Sequence, residues 1–136
     1  MHDASVALQG DLGAGKTSFV RHLLRALGVT GRIRSPSYAI VETYDAHGLS
    51  IRHFDFYRFD DPREWEDAGL RDLYAAAGLN LVEWPERAAG VLPPPDLWLR
   101  LVVRDDDARA VHVRAGTVTG AALRTALLGD PAGVLC

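Results

Sequence analysis

The residues best placed to do chemistry form one octapeptide near the start of the sequence. Gly10-Asp11-Leu12-Gly13-Ala14-Gly15-Lys16-Thr17 fits the spacing G-x-x-x-x-G-K-[ST]. Glycines in such a loop let the backbone turn several N–H groups inward, where they can cradle phosphate oxygens. Lys16 would reach the terminal phosphates of a nucleotide, and the Thr17 hydroxyl would ligate Mg²⁺. A helix beginning at Lys16 would add its positive N-terminal end. The expected nucleotide contact therefore runs from Gly10 through Ser18.

The pattern alone turns up by accident in on the order of one chain in a few hundred of this length. Two features of its context go further. It sits between an apolar strand-like run and a helical repeat, and Lys16 is the one lysine among 15 basic residues. A position that keeps lysine where every other cation is arginine needs a slim ammonium on a flexible stem rather than a planar guanidinium.

A phosphate loop also needs an acidic group at the end of a neighbouring buried strand, to hold Mg²⁺ or its water shell. Leu79–Val82 followed by Glu83 offers one, and no other apolar run ends so cleanly in an acid. A carboxylate after an apolar strand is nonetheless commonplace. The second polar cluster is His53-Phe54-Asp55-Phe56-Tyr57-Arg58. In a strand, His53, Asp55 and Tyr57 share one face and the two phenylalanines the other. Asp55 could orient an attacking water or a water on Mg²⁺, with His53 or Arg58 assisting. The same alternation equally describes a sheet edge with a solvated polar face.

The elements that must position these groups can be read in order. Val6–Gln9 reads as a strand. Phe19, Val20, Leu23, Leu24 and Leu27 recur at helical spacing from Lys16, and Gly28 supplies a stop. Ser35-Pro36-Ser37 is a loop, since the residue before proline is pushed away from helix. Tyr38–Tyr44 and Leu49–Phe56 read as strands joined by a hairpin through Asp45–Gly48. Asp61-Pro62-Arg63-Glu64 has the form of a helix start, pausing near Gly69 and resuming through Leu73 and Tyr74. Leu79–Trp84 is a buried strand ended by Pro85, and Pro93–Pro95 a rigid connector. Leu97–Val103 and Ala110–Arg114 are two more strands around the acidic turn Asp105–Asp107, Thr119–Leu128 a last helix and Asp130–Cys136 a loose tail. Alternating strands and helices argue for an α/β fold.

Composition bounds the function. At 136 residues the length suits one domain, and 48% hydrophobic with 24% charged residues is ordinary for a globular protein. A net charge of -3 leaves no broad basic surface for nucleic acid. No apolar stretch approaches the roughly 18–20 residues that cross a bilayer, and no secretory leader opens the sequence. The single cysteine, Cys136, excludes an internal disulfide and a cysteine-rich metal site. A cytoplasmic protein with no membrane association is expected.

With Gly10–Thr17, Ser35-Pro36-Ser37-Tyr38, His53–Arg58 and Leu81-Val82-Glu83-Trp84-Pro85-Glu86 in this order, the sequence resembles the bacterial TsaE (YjeE) ATPases, which support threonylcarbamoyladenosine modification of tRNA. The resemblance runs from about Val6 to near Arg114. It implies a P-loop NTPase-like three-layer sandwich with a mixed, mostly parallel central sheet and antiparallel strands added at one side. It implies ATP and ADP as ligands with Mg²⁺, slow hydrolysis, and docking onto the threonylcarbamoyl transferase and its companion subunit, with tRNA met only indirectly.

On that resemblance Lys16 and Thr17 contact phosphate and Mg²⁺, Glu83 is the strand-end acid and Asp55 the hydrolysis residue. Ser37 would sense the γ-phosphate from a switch-like loop; the family usually carries Thr there, and serine keeps the hydroxyl. Trp84 would flank the site toward nucleotide or partner, or else be a core tryptophan. The family also carries a helix and a strand ahead of the P-loop strand, where this sequence has only Met1–Gln9. The expectation is a single P-loop domain over 1–136 without that segment.

Two other functions compete. A small-molecule kinase would share the cradle, with Arg58 or Arg87 serving a transfer site. A nucleotide-gated binding module would hydrolyse ATP only incidentally. A GTPase is disfavoured, because guanine-reading N-K-x-D needs another lysine. In either ATP-binding reading Lys16→Ala is expected to spare folding, the empty loop being exposed.

Overall fold

The computed structural model describes residues 4–11, 13–34, 36, 41–59, 63, 69–106 and 108–128. Among these residues six strands carry the fold: β1 (Ala4–Gln9), β2 (Val41–Ala46), β3 (Leu49–Asp55), β4 (Leu79–Glu83), β5 (Leu97–Val103) and β6 (Arg109–Ala115). Among the described residues the α-helices are α1 (Lys16–Ala26), α2 (Leu70–Ala75) and α3 (Val118–Leu128), with a 3-10 turn at Pro85–Ala88. The strands form one sheet in the order β2-β3-β4-β1-β5-β6. β3, β4, β1 and β5 run parallel, and β2 and β6 pair antiparallel at the two edges.

The mixed α/β sheet is the one expected, with antiparallel strands at both edges rather than at one side. Connection length explains this. The few residues between Val103 and Arg109 can only reverse the chain, closed by a 2.8 Å bond from Arg104 N–H to the Ala108 carbonyl. At the other edge, β2 and β3 are joined through His47 and Gly48, both at positive φ (52° and 81°). That two-residue turn matches the right-handed twist of its strands.

Strand alternation divides the core between two faces. Val6 and Leu8 of β1, Ile51 of β3, Leu79 and Leu81 of β4 and Leu97 and Leu99 of β5 meet Val20 and Leu24 of α1 on one face. Leu123 of α3 packs against the same cluster. On the other face Phe54 and Val82 meet Leu70 and Tyr74 of α2 and Ala88 of the 3-10 turn. Helices on both faces of one sheet make the expected three layers. Each fully buried Leu contributes about 1.5–3 kcal/mol, so truncating Leu81, which is 0% exposed, would cost about 2–5 kcal/mol.

The second face also holds a polar row. Arg52, Asn80 and Ser5 are register partners on β3, β4 and β1. Arg52 Nε donates to Asn80 Oδ1 at 2.8 Å, and its other nitrogens donate to the carbonyls of Ala77 (3.1 Å) and Ala76 (2.7 Å). Asn80 Nδ2 donates to the Tyr74 carbonyl (2.8 Å) and to Ser5 Oγ (3.2 Å). The guanidinium thus ties the end of α2 to the sheet.

Element boundaries moved little from expectation. β1 starts earlier, at Ala4, and β4 stops at Glu83, one residue before the expected end. The helix start at Asp61–Glu64, the strand portion Tyr38–Ile40 and the tail Asp130–Cys136 lie outside the described residues, Arg63 excepted. Among the described residues no helix is long and apolar enough to cross a membrane.

Candidate functional site

Three parallel strands end side by side. Leu8 of β1 is the register partner of Glu83, and Glu83 is the partner of Asp55 on β3. The chain leaves β1 at Gly10, loops to Gly15 and enters α1 at Lys16. Crevices at the carboxyl ends of parallel strands are where α/β proteins bind ligands. Here a cleft of about 400 Å³ is lined by the phosphate loop, Thr17, Asp55, Glu83 and Trp84 among others.

The loop's glycines do what their spacing demands. Gly10 stands at φ 152°, and a Cβ there would lie 2.8 Å from the Leu101 carbonyl oxygen, so only glycine lets β5 approach this closely. Gly15 caps α1 at φ 98° with no side-chain hydrogen bond to the helix start. With no side chain capping them, the first N–H groups of α1 are suited to a ligand, and the helix dipole favours an anion there. Ala14 is buried, and Gly13, Gly15 and Ser18 border the cleft. Asp11 is exposed, and its carbonyl accepts from Ala14 N–H at 3.0 Å.

Lys16 departs from expectation. Rather than standing free in an exposed loop, it is only 5% exposed. Its ammonium donates to the Gly10 carbonyl and lies 3.6 Å from the centroid of the Trp84 ring. Burial pulls the Lys16 amine below its usual range, while Glu83, Glu86, Asp55 and Asp11 pull it part of the way back. Trp84 reaches that position through a left-handed backbone (φ 56°) just after β4, costly for a residue with a Cβ. The Tyr57 ring lies 5.0 Å from it, and Arg87 stacks 5.5 Å from Tyr57. Trp84 thus lines the cleft while also packing, half-buried, against the core cluster of the second face.

Behind the loop stands the acid. Glu83 is 2% exposed, and both its oxygens are within reach of Thr17 Oγ1, at 3.2 and 3.4 Å. His53, 1% exposed, meets Glu83 Oε2 through Nε2 at 2.6 Å. The idea of a solvated sheet edge at His53 is overturned, because β3 lies between β2 and β4 and His53 is buried, although Asp55 is only partly covered and Tyr57 is exposed. Asp55 accepts Tyr57 N–H on Oδ1 at 3.0 Å. Burial pushes the Asp55 carboxyl above the usual carboxylate range; the Tyr57 N–H opposes this, Glu83 adds to it, and His53 and Lys16 offset it only in part.

Of the site residues expected from sequence, Gly10, Gly13, Gly15, Lys16, Thr17, Ser18, Asp55, Glu83 and Trp84 converge around the loop and cleft. Leu12 and Ser37 lie outside the described residues. Arg58 is exposed. The His53–Glu83 contact and the place of Tyr57 in the cleft wall were not foreseen; the only signal for either was the H-x-D-x-Y alternation. Among the described residues no three His, Cys, Asp or Glu side chains cluster as a metal site. The donor set at Thr17 and Glu83 is nonetheless hard oxygen, which suits a cation such as Mg²⁺ that keeps water and phosphate as its other ligands.

Comparison with known proteins agrees with this geometry. The family model described as "Threonylcarbamoyl adenosine biosynthesis protein TsaE" matches residues 1–111. The Haemophilus influenzae tRNA threonylcarbamoyladenosine biosynthesis protein TsaE is 43% identical over 115 residues, covering 85% of this chain and 72% of that protein. The Bacillus subtilis protein of the same name is 37% identical over 110 residues, 81% of this chain and 68% of its own. The crystal structure of Bacillus subtilis YdiB superposes with a TM-score of 0.76 at 29% identity, covering 92% of this chain and 76% of that one.

Proposed function

The chain belongs to the TsaE family of tRNA threonylcarbamoyladenosine biosynthesis proteins, and we propose that it serves that modification as an ATP-binding protein that hydrolyses ATP slowly with Mg²⁺. ATP and ADP are its ligands. The threonylcarbamoyl transferase and its companion subunit are its partners in the cytoplasm, and tRNA is met through them, in keeping with the net charge of -3. The P-loop domain is read as extending over 1–136.

One observation carries this reading: a buried strand-end carboxylate, Glu83, stands 3.2 Å from the Thr17 hydroxyl in the first turn of α1. Loop N–H groups and the helix start would hold the phosphates, and Lys16 would leave Trp84 for the terminal ones. Thr17 and Glu83 would hold Mg²⁺, Thr17 directly and Glu83 directly or through water. When bound, Mg²⁺ neutralises charge on the phosphate oxygens. Asp55, beside Glu83 at the mouth of the cleft, would orient the attacking water. Its raised pKa also makes it a candidate proton acceptor. Ser37 is assigned the γ-phosphate sensing role by family likeness.

Calorimetric titration of the chain with ATP, ADP and GTP, with and without Mg²⁺, tests this, beside phosphate release with and without the partner proteins. The expected result is Mg²⁺-enhanced binding of adenine nucleotides and slow release that the partners alter. No nucleotide binding, or phosphate transfer onto an added acceptor hydroxyl, would overturn it.

A further inference from the structure

Glu83 can present an oxygen to a cation only if its carboxylate is held, since the side chain leaves β4 on three rotatable bonds. Thr17 alone does not hold it: the hydroxyl sits at nearly equal distances, 3.2 and 3.4 Å, from the two oxygens. His53 supplies a second, shorter hold. It lies on the same face of the sheet, beside Leu81 in the register and one pleat before the Asp55–Glu83 pair. Its Nε2 is 2.6 Å from Oε2.

Resting on the Mg²⁺ reading above, we infer that His53 is a positioning residue for the cation: its Nε2–H grips Glu83 Oε2 and fixes the carboxylate beside Thr17 Oγ1, presetting the oxygen donors that meet the metal. The packing of His53 gives it no other evident task. It is 1% exposed, and a buried polar ring costs free energy unless it is hydrogen-bonded. Its Nδ1 is buried with no hydrogen-bond partner among the described residues, so its polar contact is spent on Glu83. Carboxylates that ligate metals are commonly held in this way by a further hydrogen bond.

Glutamine and asparagine separate the role from mere polarity, because a glutamine amide nitrogen reaches about where Nε2 stands and an asparagine amide stops short. The measurement is Mg²⁺ titration of the ADP-bound chain by calorimetry, on wild type, His53→Gln, His53→Asn and His53→Leu, with ADP affinity also taken in EDTA. His53→Asn and His53→Leu are expected to raise the Mg²⁺ needed by about 10- to 100-fold, with metal-free ADP affinity unchanged and His53→Gln recovering most of the loss. His53→Asn with a normal Mg²⁺ requirement would overturn the inference. So would His53→Gln as impaired as His53→Asn while both melt like wild type, or equal loss of ADP binding with and without metal. A variant that fails to fold is set aside for the remaining pair. Wild type that bound no nucleotide would overturn the ATP-binding reading and this one together; normal wild-type binding with an indifferent His53→Asn overturns this one alone.

Discussion

Two buried polar rows cross the same strands three residues apart, and they are built to opposite standards. At one level Arg52, Asn80 and Ser5 face one another across β3, β4 and β1, and the guanidinium's donors meet an amide oxygen and two backbone carbonyls. At the other, Asp55 and Glu83 stand beside Leu8. There two carboxylates neighbour each other, an ammonium rests on an indole, and an imidazole nitrogen is buried without a partner among the described residues. A fully satisfied buried network rigidifies a fold, whereas a partly satisfied one costs stability and is kept where a ligand completes it. The first row holds the sheet together; the second, on the function proposed above, is prepared for a guest.

The sharpest test of that division comes from its two largest effects. Lys16→Ala removes charge-assisted bonds to phosphate worth about 1.5–3 kcal/mol each, so ATP affinity should fall about a hundredfold or more and turnover should vanish. Because the wild-type ammonium is already pulled from water, the unfolding midpoint in urea should hold or rise slightly. Asn80→Ala should do the reverse. It strips Arg52 Nε, Ser5 and the Tyr74 carbonyl of a partner and should cost about 2–4 kcal/mol in urea unfolding, with ATP affinity within about twofold of wild type in calorimetry. If Asn80→Ala weakened ATP binding as much as Lys16→Ala, the two rows would not be separate.

Much of this was legible in the sequence, for reasons that differ by element. The phosphate loop could be read because its backbone requirements are written as glycine spacing, and Gly10 and Gly15 adopt the positive φ that spacing anticipates. Glu83 could be read because a buried strand ending in an acid is a local pattern. Strand order is not local. The alternation of His53, Asp55 and Tyr57 assigned a face but not a position in the sheet. Only the placement of β3 between β2 and β4 shows His53 to be enclosed. The posture of Trp84 was likewise hidden, since a residue before proline is normally driven to extended backbone and here adopts φ 56°. Lys16 could be assigned a ligand but not its resting place, which depends on how the end of β4 approaches the start of α1.

A smaller effect should come from the acid itself. Glu83→Gln keeps an oxygen for the His53 contact and removes the negative charge, so it probes charge rather than shape. Mg²⁺-dependent turnover should fall about 10- to 100-fold, the worth of replacing a charged contact by a neutral one, and the Mg²⁺ needed for half-maximal rate should rise. Steady-state phosphate release across a Mg²⁺ series checks this. A normal rate with a normal Mg²⁺ requirement would remove Glu83 from the guest-binding row.

The smallest effect tests whether that row is strained when empty. The Asp55 carboxyl is held above the usual carboxylate range by burial, with Glu83 adding to it. A raised pKa means that the folded chain binds more protons than the unfolded chain between the two values. Folding is therefore favoured in acid, and that contribution disappears as pH rises through the folded-state pKa. At neutral pH wild type carries the handicap of an ionised, partly buried Asp55 beside Glu83. Asp55→Asn keeps the oxygen that accepts Tyr57 N–H and cannot ionise. It should therefore melt slightly higher than wild type near pH 7, and the gap should close as pH falls below the ordinary aspartate range. Melting curves of both proteins from neutral to acid pH, without nucleotide, make the comparison. A gap that persisted unchanged in acid would mean that the amide stabilises by its own contacts. A gap of the opposite sign at neutral pH would mean that Asp55 is a satisfied structural acid and belongs in kind with Arg52 and Asn80.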